Sequence, residues 1–207
     1  MRKNDHNLAL LLSLALGIGV VWNVTAHPRE SADGKLPACE WCGADEAPAQ
    51  LSSSLRIARA DEPGERLTVT GTIYKADSQT AAPDILVYVY HTNAAGIYPK
   101  RGDETGNARR HGYLRGWLRT DKNGKYRIET IRPASYPSRT EPAHIHMTVT
   151  PPGGTERWID SILFADDHLL TKQERSRLEG RGGSGIVDPA RDPSGAWRAT
   201  RDIVMDH

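Results

Sequence analysis

The sequence predicts a mainly β fold, an antiparallel β-sandwich with one short helix and long loops, on three observations. Short segments rich in Val, Ile, Thr and Tyr recur from residue 65 onward. Turn signals rich in Gly, Pro, Asn and Asp separate them at short intervals. Only one stretch, HLLTKQERSRLEG, carries a helical pattern, with Gly180 as its terminator. About seven strands so punctuated argue for two packed sheets.

The chain begins outside that fold. Arg2 and Lys3 precede an uncharged apolar run over residues 8–22, and NVTA then puts Val24 and Ala26 at small-residue positions. That pattern predicts a signal peptide over residues 1–26 and a mature chain starting near His27. The run is short for a bilayer span, so no stable membrane insertion is expected after cleavage; a retained anchor is the alternative. The destination is the periplasm or the extracellular space. Loss of Arg2, Lys3 and Asp5 takes the 27 basic and 26 acidic residues to formal neutrality. A neutral domain gives no reason to expect nucleic acid or an anionic membrane as a partner.

Residues 27–64, rich in Ala, Pro, Glu and Ser, read as an irregular arm, and residues 65–207 as the sandwich. The arm holds the chain's two cysteines, Cys39 and Cys42, in CEWC. A local disulfide, a thiol redox pair and half a zinc site are all open for that spacing; export favours the disulfide. An arm crossing to a second subunit would put CEWC at the contact of a homodimer.

Within the sandwich, RLTVTGTIYKAD alternates Leu67, Val69, Gly71 and Ile73 with polar positions, a half-buried strand. DILVYVYHT is β-branched and aromatic throughout, a strand covered on both faces. A polar loop follows over residues 99–111, with Arg101, Arg109, Arg110 and His111; it leaves Tyr98 directly and is placed either as a pocket wall or as a solvated loop. WLRT and KYRIETI flank DKNG, where Asn123 and Gly124 signal a hairpin. RPASYPSRTEP is a proline-punctuated loop, AHIHMTVT and RWIDSILF are strands, RGGSG is a flexible connector, and GAWRATRDIVM is the last strand.

The chemistry is expected around AHIHM. Side chains two apart on a strand share a face, so His144 and His146 project together, roughly 6–7 Å apart at the backbone. Two neutral imidazoles so placed suit one metal ion, although H-x-H alone is as readily a solvated strand face. Tyr98 and Tyr136 stand at strand–loop junctions beside Gly96, Pro99 and Pro137, in irregular backbone that can aim a side chain into a pocket. His91 and His168 read as strand-end or turn residues, and Trp41, Trp117, Trp158 and Trp197 as core or interface aromatics.

The order NAAGIY, then TDKNGKYRIETIRPASYP, then PAHIH resembles the intradiol ring-cleavage dioxygenases of the catechol and protocatechuate type. SILFADDHLL resembles that family's strand and acidic turn. The resemblance implies one Fe(III) held by Tyr98, Tyr136, His144 and His146. Two phenolates at neutral pH need a strongly acidic cation, because a free phenol titrates near 10. It also implies the reaction: a small aromatic diol and O2 are the partners, and the ring opens between its hydroxylated carbons to a muconate-type diacid. Tyr136 is then the ligand that yields to substrate and takes its proton. The family's arginine before P-A-H-x-H is Glu141 here, with Arg139 two residues earlier, so Tyr136, Arg139 and Glu141 are the expected reaction residues. Ser161 aligns with a family glutamine. Glu141 favours a rival reading, an exported sandwich that holds a metal and a catecholate without turnover. A metal-free adhesive sandwich would make four matched positions a coincidence.

Overall fold

The structure, a computed structural model, describes residues 39–205. The predicted signal peptide and residues 27–38 of the arm lie outside the described residues. Among the described residues, no helix is long and apolar enough to cross a membrane. In chain order the elements are β1 (Ser54–Arg56), β2 (Arg66–Tyr74), β3 (Leu86–His91), α1 (Ala108–His111), β4 (Arg115–Arg119) and β5 (Lys125–Ile131). Then come β6 (His144–Thr150), β7 (Arg157–Trp158), β8 (Ile162–Phe164), α2 (Lys172–Ser176), β9 (Ile186–Val187), β10 (Ala190–Arg191), β11 (Trp197–Thr200) and β12 (Ile203–Val204).

They form the predicted mainly β sandwich. One sheet runs β1-β5-β2-β11-β10, with β12 also on β2; the other runs β4-β3-β6-β8-β9, with β7 also on β6. The central pairs β2–β5, β3–β4 and β3–β6 are antiparallel. The shorter β1 joins β5, β9 joins β8, and β11 and β12 join β2 in parallel, whereas β10 joins β11 antiparallel. The core between the sheets takes Leu67, Val69 and Ile73 of β2, Ile128 of β5, Val87 and Val89 of β3, and Ile145, Met147 and Val149 of β6. Each such side chain, fully buried, contributes about 1.5–3 kcal/mol.

That inward set leaves His144, His146 and Thr148 on the outer face of the second sheet, beside Tyr88 and Tyr90 of β3. Every residue of β3 is buried, as its composition predicts, because the arm and the loop before β4 cover this outer face. Gly43 of the arm lies against Tyr88 so closely that a Cβ there would come within 2.4 Å of the ring. The Glu156 carboxylate accepts the Gly43 and Ala44 amides, and Trp117 Nε1 donates to Gly43 O at 2.7 Å.

Several local expectations change. The Asn123–Gly124 turn forms, with Asp121 Oδ1 accepting the Asn123 and Lys125 amides and Gly124 at φ 71°. It is not a β4–β5 hairpin: the chain crosses there from one sheet to the other. RWIDSILF breaks into β7 and β8, because Asp160 N donates to Arg181 O and Asp160 Oδ2 accepts the Gly180 amide. The last strand divides into β11 and β12 around the buried Arg201. The helix shrinks to α2, five residues capped by Thr171 Oγ1 accepting from Glu174 N. The arm is not wholly irregular, since it contributes a 3-10 turn (Ala44–Glu46) and β1.

Candidate metal centre

Two loops carry the tyrosines to the histidines. After β3, Asn93 Oδ1 accepts the Ala95 and Ile97 amides and closes a tight turn. Asn93 O accepts both Gly96 N and Ala134 N, and Thr92 Oγ1 donates to Ala134 O, so this turn is tied to the loop that carries Tyr136. Gly96 sits at φ 76°, and a Cβ there would fall 2.0 Å from Ser135 O. A glycine is required by both conformation and space.

The four predicted ligands converge. Tyr98 Oη lies 2.7 Å from Tyr136 Oη and 3.0 Å from His146 Nε2. Tyr136 Oη lies 3.2 Å from His144 Nε2 and 3.5 Å from His146 Nε2, and the two Nε2 atoms are 2.9 Å apart. Donors bound to one ion at about 2.0–2.1 Å stand roughly 3 Å from one another. His144 Nδ1–H donates to Pro142 O at 2.8 Å, and His146 Nδ1 lies 3.3 Å from Ser161 Oγ. The bond to a carbonyl oxygen fixes the His144 tautomer, so its Nε2 presents a bare lone pair to the cluster. Two phenol oxygens and two imidazole nitrogens crowded so closely are the donor set a cation fits.

The electrostatics agree. Burial, and then the Tyr136 hydroxyl and charge, pushes the Tyr98 phenol far up. Burial also raises Tyr136; the hydrogen bond from Tyr98 opposes this and the Glu141 carboxylate reinforces it. Burial, followed by the imidazoles of His144, His111 and His91, lowers His146 well below its ordinary value. Without a cation the phenols stay protonated and His146 stays neutral; a bound cation reverses the balance for the phenols.

A cleft of about 390 Å³ opens onto Tyr98, Tyr136 and His146. Its inner wall is a stack: Tyr90 lies between His111, with ring centroids 3.7 Å apart and planes 8° apart, and His146, at 4.4 Å and 19°. His111 accepts from Tyr88 Oη and donates from Nε2 to Glu40 O. Of the arginine-rich loop, Arg110 and His111 reach this cleft, whereas Arg101 and Arg109 are exposed. Arg139 is exposed at φ 53° and is not among the cleft residues; Glu141 lines an adjoining hollow with His144, Ser161 and His146, the last shared with the cleft. His91, at the end of β3, is buried between Thr92 O and Thr130 Oγ1, and His168 is exposed. Cys39 and Cys42 form a disulfide. Sequence reasoning missed Tyr90, Glu40, Trp41, Trp158 and Arg181 as cleft residues. Of these only Tyr90, two residues along the strand from Tyr88 and opposite His146 in register, had a local signal.

Comparisons with known proteins bear on this arrangement. Residues 43–176 match the model of the dioxygenase family designated Dioxygenase_C. The chain is 34% identical over 110 residues to catechol 1,2-dioxygenase of Acinetobacter baylyi, covering 45% of this chain and 34% of that protein. It is 32% identical over 113 residues to the protocatechuate 3,4-dioxygenase beta chain of Burkholderia cepacia, covering 52% and 48%. These matches therefore span half or less of each relative. Among solved structures, catechol 1,2-dioxygenase of Acinetobacter sp. ADP1 aligns at TM-score 0.58 and 25% identity, over 78% of this chain and 59% of that one. The dioxygenase domain of a carbohydrate-binding fusion from Streptomyces sp. SirexAA-E shares the fold at TM-score 0.56 and 22% identity, over 73% and 86%. The matched block takes in both tyrosine loops and the histidine strand, and the chain belongs to the intradiol dioxygenase family.

Proposed function

We propose that this chain holds Fe(III) through Tyr98, Tyr136, His144 and His146 and cleaves a catechol-type diol with O2 between its hydroxylated carbons. The observation that carries the reading is the convergence of two phenol oxygens and two imidazole nitrogens, none more than 3.5 Å from its neighbour along the cluster, within the family-matched block. Ferric iron, when bound, draws electron density from a catecholate ring and so opens it to O2.

The chain's own residues do the rest. Tyr136 Oη accepts a proton from the incoming diol; burial and the Glu141 carboxylate both favour its protonated form. As the family resemblance implies, Tyr98 would stay bound together with the two histidines, His144 held by Pro142 O and His146 beside Ser161 Oγ. The Tyr90–His111 stack forms a flat wall for the ring, and Arg110 places positive charge in the cleft. That charge weakens the case for a carrier without turnover, which rested on Glu141 replacing an arginine. The leader pattern and the Cys39–Cys42 disulfide support export; N-terminal sequencing of secreted protein is expected to begin near His27.

The test is metal analysis and a visible spectrum of the purified protein, followed by catechol under nitrogen and then air. One iron per chain, a phenolate charge-transfer band, a catechol-induced shift and oxygen uptake are expected. A protein that stays colourless after ferric loading refutes the ligand set. A spectral shift without oxygen uptake selects the carrier.

A further inference from the structure

The cleft is built from two sources. Tyr90, Tyr98, Tyr136 and His146 lie inside the block shared with the family, residues 43–176. Glu40, Trp41 and Arg181 lie outside it on either side, and they too line the cleft. This part is anchored. His111 Nε2 donates to Glu40 O at 2.7 Å, Arg110 Nη1 donates to Cys39 O at 3.2 Å, and the Cys39–Cys42 disulfide closes the loop that bears Trp41. Arg181 stacks its guanidinium over Trp158, 4.9 Å from the ring centroid. Trp41, held on this loop, is nonetheless 44% exposed, an unusual state for an indole inside a cleft.

Size points the same way. The 390 Å³ of the cleft falls within the range of about 300–1,000 Å³ that houses drug-sized ligands, more than one six-membered ring fills. A diol seated at the tyrosines and histidines leaves the mouth, with its two indoles, uncovered.

We infer that Trp41, on its disulfide-closed loop, is a specificity-determining residue that stacks on a second aromatic ring, so that the preferred substrate is a catechol bearing an aryl substituent. This rests on the reading of the centre as a catechol site. The second ring lies on the Trp41 and Trp158 side of the mouth, and the Arg181 stack holds Trp158 in place for it.

The experiment compares catechol with 4-phenylcatechol. Binding to the iron-loaded protein under nitrogen is followed by calorimetry and by tryptophan fluorescence. Wild type is expected to bind 4-phenylcatechol about tenfold more tightly than catechol, the gain of one good aromatic contact. In Trp41→Ala that preference falls to about unity, and in Trp41→Phe, which restores an aromatic face, most of it returns. Equal binding of both diols by wild type, or an undiminished preference in Trp41→Ala, overturns the inference while leaving the catechol site standing. Failure of both diols to bind removes the catechol site itself, and the inference with it.

Discussion

Asp167 Oδ2 accepts the amide of Ala143 at 2.7 Å, one residue before His144. The neighbouring carboxylate, Asp166, grips the Arg132 guanidinium with both oxygens, at 2.5 and 2.9 Å. The two ends of the loop that carries Tyr136 are thus held by consecutive residues of one acidic turn after β8. Tyr136 on its loop and His144 on its strand keep their spacing because a third segment clamps both.

Asp167→Ala is therefore expected to lose iron without losing the fold. The charge-assisted bond to a part-buried amide is worth about 1.5–3 kcal/mol, which a urea midpoint would read. Metal content after dialysis should fall well below one per chain. Full iron retention would show that the clamp does not position the histidine strand. Asp166→Ala, whose carboxylate is more exposed, should do less.

Gly96→Ala tests the junction of the two tyrosine loops. The new Cβ meets Ser135 O and is forced to positive φ. The backbone strain alone costs about 1–3 kcal/mol, the clash with a main-chain oxygen adds to it, and both fall where Tyr98 and Tyr136 approach. Loss of the charge-transfer band with an unchanged far-ultraviolet circular dichroism spectrum is the expected result.

The two phenols should be separable. Tyr98→Phe removes a ligand that stays in place during the proposed reaction, so both iron retention and colour should decline. Tyr136→Phe removes the proton acceptor, so oxygen uptake should fall by at least the 10²-fold typical of a lost acid–base group, with part of the colour retained from Tyr98. Identical losses in both variants would argue against different roles.

Acid stability follows from two histidines outside the ligand set. Burial lowers His91 to about 4, and burial does the same to His111, against their donors' hydrogen bonds to Thr92 O and Glu40 O. Unfolded, each takes up a proton near pH 6.5. Between about pH 6.5 and 4 the unfolded chain thus holds more protons, so stability falls as pH is lowered and is level above that window. Urea midpoints at pH 7 and pH 5 should differ in that sense, and less so in His111→Gln. A midpoint insensitive to pH in both proteins would contradict the buried neutral state.

The sequence by itself determined most of the strands and the shared face of His144 and His146, while the four positions now found together were legible through the family resemblance. Alternation and H-x-H are local, because period-two geometry holds for any extended chain. Gly96 and Pro99 beside Tyr98, and Pro137 beside Tyr136, likewise act within a few residues. Tertiary structure decided the rest. Only sheet pairing turned the Asn123–Gly124 segment into a crossing rather than a hairpin. Ties from the loop holding Gly180 and Arg181 cut one predicted strand in two. Arg139 faced solvent while Arg110 and Arg181 came to the cleft. Glu40 and Trp41 of the arm, Trp158 after β6 and Arg181 beyond α2 meet at one mouth although they are far apart in the chain. No periodicity encodes such a meeting, which arises when two sheets bury their inner faces and leave one outer face for the arm and loops to cover.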